Sequence, residues 1–341
     1  MKSLIIFSTS VITLMLTALP FSAKLDAKKK SGPIKPSKVL YLYPQGQNKD
    51  IGIIENGVAI TQGPGKSNGL KGIEIVNEKK HYRNISDSAR IEIFLPSKPN
   101  GQMVLICPGG GYAKVAAGHE GETVAAWLLK KGIAACVIKY RLPNGNWEVP
   151  LTDVQNAFRY CRAHAEEWKI NKIGVMGFSA GGHLAASAST LYKDEITKPD
   201  FSILIYPVIT MLERFTHKGS HDKLLGSEAK WSDVNLSVIE FRQKQKEYKA
   251  LLNRFSLEKQ VNEKTPPAFI TSCVDDGVVP IENSLLYFMA LKKHNVPVEF
   301  IIYPKGGHGW GFTENLDEED PIKYTRQEFL AALEGWLKDL E

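Results

Sequence analysis

The stretch "KIGVMGFSAGGHLA" (172–185) puts an apolar, strand-like run directly against a serine framed by glycines and then a small-residue, helix-like run. A flexible surface loop could carry this composition. A strand–turn–helix junction needs it for a sharper reason. The turn is so tight that strand and helix nearly touch, and a side chain at either flanking glycine would clash. The serine at the apex, Ser179, then projects its hydroxyl beyond the strand end. Ala180 N–H, at the helix start, points to the same place and can stabilise a developing oxyanion.

The surrounding pattern decides for the junction. "MVLIC" (103–107) precedes a glycine loop and the helical "GETVAAWLLKKG", and "AACVIKY" (134–140) precedes the helical "VPLTDVQNAFRYCRAHAEEW". "FSILIYPVI" (201–209), "PAFITSCV" (267–274) and "VEFIIYP" (298–304) follow, with helices expected at 281–294 and 321–340. Wholly apolar short runs alternating with amphipathic ones predict a mostly parallel sheet covered by helices on both faces, an α/β fold. "KVLYLYP" and "ARIEIFLP" read as edge strands of that sheet, joined by a Gly-rich irregular piece. Residues 211–264 break the rhythm. They are charged and helix-prone, notably "VIEFRQKQKEYKALLNRF", and read as a cap-like insertion over the strand C-termini, where open α/β sheets bind ligands.

Three further motifs fall at strand ends. "CPGGGY" (107–112) can turn the N–H groups of Gly110 and Gly111 toward a reacting carbonyl, and it lacks the spacing of a nucleotide phosphate loop. "DDGVVP" (275–280) supplies an acid, and "KGGHGWG" (305–311) supplies His308. In these roles Ser179 is the nucleophile, His308 the proton carrier, and a carboxylate the group that orients the imidazole. Asp275 is the preferred acid and Asp276 the alternative. Tyr112, Glu120 and Trp310 are candidate substrate contacts. His81, His119, His164, His183, His217, His221 and His294 lack the glycine-framed strand-end setting, and His183, inside the helix after the serine, has a packing role.

The motifs "LICPGGGY", "HEG", "YRLP", "IGVMGFSAGGHLA", "DFSILIYPV", "TPPAFI", "DDGVVP", "ENSLLYF" and "YPKGGHGWG" resemble the bacterial α/β-hydrolase esterases related to acetylxylan esterases, over about residues 38–341. The resemblance implies carbohydrate O-deacetylation through an acyl-enzyme, with no metal and no cofactor, and it places the acid at the first Asp of the pair, Asp275. The stretch 232–252 is longer than in typical relatives. A serine peptidase of related fold, the prolyl-oligopeptidase-like group, is the alternative. Those enzymes usually carry an N-terminal β-propeller, and only about 60–70 residues precede the sheet core here, too few for several blades.

The remaining features concern location and partners. Residues 1–23 carry one Lys, an apolar run and small residues, and read as a signal peptide cleaved near Ala23, with export to the periplasm or beyond. Residues 24–37 form a basic, Pro-containing linker. The formal charge of +6 resides in these N-terminal segments, because Lys2 and the six Lys and one Asp of 24–38 account for all of it. A catalytic domain (38–341) whose net charge is only the +1 of Lys38 offers no electrostatic footprint for nucleic acid. The expected partner is acetylated carbohydrate, with no membrane span after signal removal. Cys107, Cys136, Cys161 and Cys273 lack metal-binding spacing and read as buried thiols.

Overall fold

The computed structural model describes residues 34–43, 52–227, 231, 236–312 and 320–340. The expected signal peptide and residues 24–33 of the linker lie outside them, as does part of the 232–252 stretch.

Eight strands build one sheet. They are β1 (Lys38–Tyr41), β2 (Arg90–Phe94), β3 (Gln102–Cys107), β4 (Ala134–Lys139), β5 (Lys172–Phe178), β6 (Ser202–Ile205), β7 (Ala268–Cys273) and β8 (Val298–Tyr303). Their spatial order is β1-β2-β4-β3-β5-β6-β7-β8. β2 runs antiparallel to both β1 and β4, and every other ladder is parallel. This is the α/β-hydrolase architecture, a mostly parallel sheet with helices.

The β-branched and apolar content of β3, β4, β6 and β7 is buried along their whole lengths. Burial on both faces is why these strands read as continuous apolar runs rather than alternating ones. Each fully buried large aliphatic side chain among them contributes about 1.5–3 kcal/mol. The strands at the two edges, β1 and β8, are far less buried. All four cysteines are buried free thiols.

Seven α-helices lie among the described residues: α1 (Thr123–Lys130), α2 (Glu148–Ala163), α3 (Ala180–Thr190), α4 (Lys218–Leu225), α5 (Val238–Phe255), α6 (Glu282–Lys293) and α7 (Lys323–Asp339). None of the helices among the described residues is long and apolar enough to cross a membrane. The insertion expected at 211–264 contains α4 and α5. α5 opens with a capping box between Ser237 and Glu240 and buries only its last residue, Phe255. Such a helix draws its stability mainly from its caps and local pairs rather than from a covered apolar stripe.

Two features of the sheet position the site. The chain leaves β3 for β4 on one side and later returns to β5 on the other, so the order reverses between β3 and β5. In this class of sheet the crevice at such a reversal holds the ligand. Gly177 of β5 pairs with Cys107 of β3, which brings the glycine loop and the serine turn side by side. The strand expected over 201–209 ends at Ile205, because Tyr206 adopts φ +37° and Pro207 has no N–H to extend a ladder. The freed backbone then wraps the serine turn, with Val208 N–H donating to Ser179 O at 3.0 Å.

Candidate active site

Ser179 sits between β5 and α3 with φ 54° and ψ −121°, a conformation that a non-glycine residue holds only under constraint. The constraint is close packing. A Cβ on Gly177 would stand 2.1 Å from Gly181 O, and one on Gly181 would stand 2.1 Å from Cys107 O. Ser179 N–H donates to Ile205 O at 3.1 Å, so the strained apex is tied to the neighbouring strand.

His308 Nε2 lies 2.9 Å from Ser179 Oγ, and its Nδ1 lies 2.7 Å from Asp276 Oδ2. An ionised carboxylate only accepts, so Nδ1 carries the proton and the Nε2 lone pair faces the serine hydroxyl. The carboxylate beside the imidazole is that of Asp276, not of the expected Asp275. The turn after β7 explains the difference. Asp276 Oδ1 accepts the N–H groups of Val278 and Val279, both at 2.9 Å, which aims Oδ2 inward at His308. Its side chain is 1% exposed. Asp275 points outward and accepts Gly307 N–H at 2.8 Å, a bond that holds its carboxyl below the usual range. The Asp-Gly pair at 276–277 is the sequence signal of such a side-chain-capped turn.

The glycine loop stands against the serine, since a Cβ on Gly109 would lie 3.2 Å from Ser179 Cβ. Among the described residues neither Gly110 N–H nor Gly111 N–H has an acceptor within the protein. Ala180 opens α3, where an N–H has no acceptor inside the helix. Ser179 and His308 are therefore brought together, Ala180 follows the serine at the start of α3, and Gly109 stands against the serine with Gly110 and Gly111 next in its loop.

Tyr112, Glu120 and Trp310 are buried, with 1%, 4% and 4% of their surface exposed, and the hydroxyl of Tyr112 and the carboxyl of Glu120 are bonded within the protein. Tyr112 Oη pairs with His183 Nδ1 at 3.0 Å, and His183 Nε2 pairs with Phe255 O at 2.9 Å. A carbonyl only accepts, so Nε2 donates to it, Nδ1 accepts the tyrosine proton, and the ring is neutral. Burial lowers the His183 pKa to about 4. His183 thus has a structural role, joining the glycine loop to the end of α5. Trp310 packs edge-on against Tyr206 and Phe329 and holds the His308 loop to α7.

Residues 91–291, more than half of the chain, match the BD-FAE family. The chain belongs to the BD-FAE family. A curated relative, an acetylxylan esterase of Xylanibacter ruminicola, is 38% identical over 268 residues, covering 77% of this chain and 51% of that protein. An endo-1,4-beta-xylanase B of Butyrivibrio fibrisolvens is 36% identical over 222 residues, covering 60% of this chain and 32% of that protein. The chain thus spans about half or less of the length of these curated relatives. Among solved structures, an acetyl ester-xyloside bifunctional hydrolase from Caldicellulosiruptor lactoaceticus superposes with a TM-score of 0.64 at 31% identity, covering 91% of this chain and 98% of that one.

Two residues of this BD-FAE member escaped the motif reading. Tyr206 places its ring 4.8 Å from that of His308. Only the positive φ that ends β6 turns it there; Pro207 signals a break in the apolar run 201–209 but not the direction in which Tyr206 turns. His217 caps α4 by accepting Ser220 N–H on Nδ1 at 3.3 Å, and its Cε1 would lie 3.8 Å from a Cβ on Gly111. Burial lowers its pKa. The neutral ring then carries its proton on Nε2, beside the glycine loop.

Proposed function

We propose that this BD-FAE member is an exported serine carboxylic ester hydrolase that removes acetyl groups from O-acetylated plant polysaccharide or oligosaccharide. The observation that carries the reading is the hydrogen-bonded line Ser179–His308–Asp276 at the β5 turn. The names of its relatives favour an acetylated xylan-type substrate, and the apolar N-terminal segment 1–23 favours export.

Ser179 Oγ attacks the acetyl carbon while His308 Nε2 takes the hydroxyl proton. Asp276 holds the imidazole and stabilises its protonated form. The tetrahedral oxyanion accepts N–H bonds from Ala180 and from Gly110 or Gly111, worth on the order of 3 kcal/mol per donor in the transition state. His308 returns the proton to the sugar oxygen as the ester C–O bond breaks, leaving acetyl-Ser179 and a free hydroxyl on the sugar. Water, deprotonated by His308, attacks the acetyl-enzyme; the imidazolium then protonates Ser179 Oγ as the acyl C–O bond breaks, and acetic acid leaves and ionises to acetate in solvent. Every proton and oxygen is balanced by these groups and water, so the route calls on no cofactor. His217, at the start of α4, comes within 3.8 Å of a Cβ on Gly111, and a charged insertion there suits a sugar better than a lipid chain.

Acetate release from acetylated xylan by residues 24–341, beside the same chain carrying Ser179→Ala, is the test. Release by the parent alone supports both nucleophile and substrate class. Turnover of an activated acetate ester without release from xylan keeps the serine esterase and rejects the polysaccharide. Ser179-dependent cleavage of a blocked peptide, with no ester turnover, would replace the reading with a peptidase.

A further inference from the structure

Glu120 is a fully buried carboxylate that the proposed reaction does not use. It lies in a five-residue π-type turn, Gly118–Glu122, immediately before α1. Such turns are rare and recur at functional sites. Its Oε2 accepts Gly109 N–H at 2.7 Å, the first glycine of the loop beside Ser179. Its Oε1 accepts Tyr206 Oη–H at 3.0 Å. Tyr206 Oη in turn accepts Gly311 N–H at 3.2 Å, three residues beyond His308, and its ring faces the imidazole. Burial pushes the Glu120 carboxyl up, and the Gly109 and Tyr206 bonds pull it down. His119 Nε2 lies 3.7 Å from Oε1.

We infer that Glu120 is a positioning residue whose two oxygens lock the glycine loop and the His308 loop in register through Tyr206, so that donors and proton carrier are placed together. The inference rests on the serine hydrolase reading. A carboxylate suits the position because both of its partners donate. A glutamine could accept from Gly109 but would turn an N–H toward Tyr206 Oη, which already accepts from Gly311. The tyrosine proton would then lose its acceptor, and the link would break at one bond with side-chain volume unchanged. A misplacement of about 1 Å at a reacting group costs on the order of 10²-fold in rate.

The test compares the parent chain with Glu120→Gln, Tyr206→Phe, the double variant and Ser179→Ala on an activated acetate ester, recording kcat, KM and melting temperature. The expected result is a fall in kcat of about 10- to 100-fold in each single variant. KM should stay within about twofold and melting within a few degrees, and the double variant should be no slower than the slower single, because both break one link. Parent-like kcat in Glu120→Gln, or losses that multiply in the double variant, would overturn the inference while an inactive Ser179→Ala kept the hydrolase reading. An active Ser179→Ala would overturn both. Should Glu120→Gln fail to fold, Tyr206→Phe decides alone, by whether kcat falls at unchanged KM.

Discussion

His308 Nδ1 lies 2.7 Å from Asp276 Oδ2, whereas Asp275, one residue earlier, turns outward to the Gly307 N–H at 2.8 Å. Two adjacent carboxylates of one turn thus have different tasks. Asp276→Asn should lower kcat on an acetate ester by on the order of 10³- to 10⁴-fold, because an amide no longer fixes the tautomer. Asp275→Asn should leave kcat within about threefold, as expected of an exposed side chain. Steady-state kinetics on the two variants decide, and the opposite ranking would return the role to Asp275.

The serine turn depends on contact between backbones. Gly181→Ala brings a methyl to 2.1 Å from Cys107 O, an atom that cannot swing aside. Destabilisation of roughly 3 kcal/mol is expected from such overpacking. Gly335→Ala, in α7 with open space around it, should instead stabilise by up to about 1 kcal/mol. Urea unfolding of both variants checks the contrast.

A second stability test concerns the Arg141–Asp153 pair, with side chains 3% and 0% exposed. Asp153 also accepts Tyr43 Oη–H at 2.6 Å and Arg141 N–H at 2.7 Å, which ties the residues after β1 to β4 and α2. Removing one partner strands the other charge in the interior. Asp153→Ala should therefore cost about 3–5 kcal/mol, read from the shift in the urea midpoint.

His183 gives stability a pH dependence of known sign. Burial lowers its folded pKa to about 4, below the unfolded value of about 6.5. Between these values the unfolded chain binds a proton that the folded one does not, so stability is full above about pH 6.5 and falls as pH drops toward 4, by about 3 kcal/mol in all. His81, His119 and His217, also lowered by burial, act in the same direction. His183→Gln should flatten the slope of unfolding free energy between pH 6.5 and 4.5, and an unchanged slope would exclude His183 as its source.

Much of the molecule is written locally. The apolar runs at 103–107, 134–140, 172–177 and 267–274 match β3, β4, β5 and β7 to within a residue or two, because strands buried on both faces need uninterrupted apolar sequence. The Ser179 turn is equally local, since only glycine tolerates the contacts at 177 and 181. His308 was marked by its own glycine frame at a strand end.

The rest required the tertiary fold. Asp275 and Asp276 are chemically identical in sequence, and only the turn that Asp276 caps decides which carboxylate faces the imidazole. Tyr112, Glu120 and Trp310 carry groups that could bind a sugar, yet close packing of the loops buries all three. Tyr206 reaches His308 only because β6 breaks at a positive φ beside Pro207. Sequence by itself determined the strands, the serine turn and the kinds of residue available for catalysis, because backbone strain and burial are set by neighbours in the chain. Only tertiary structure decided which side chains meet, because that depends on how distant turns pack against one another.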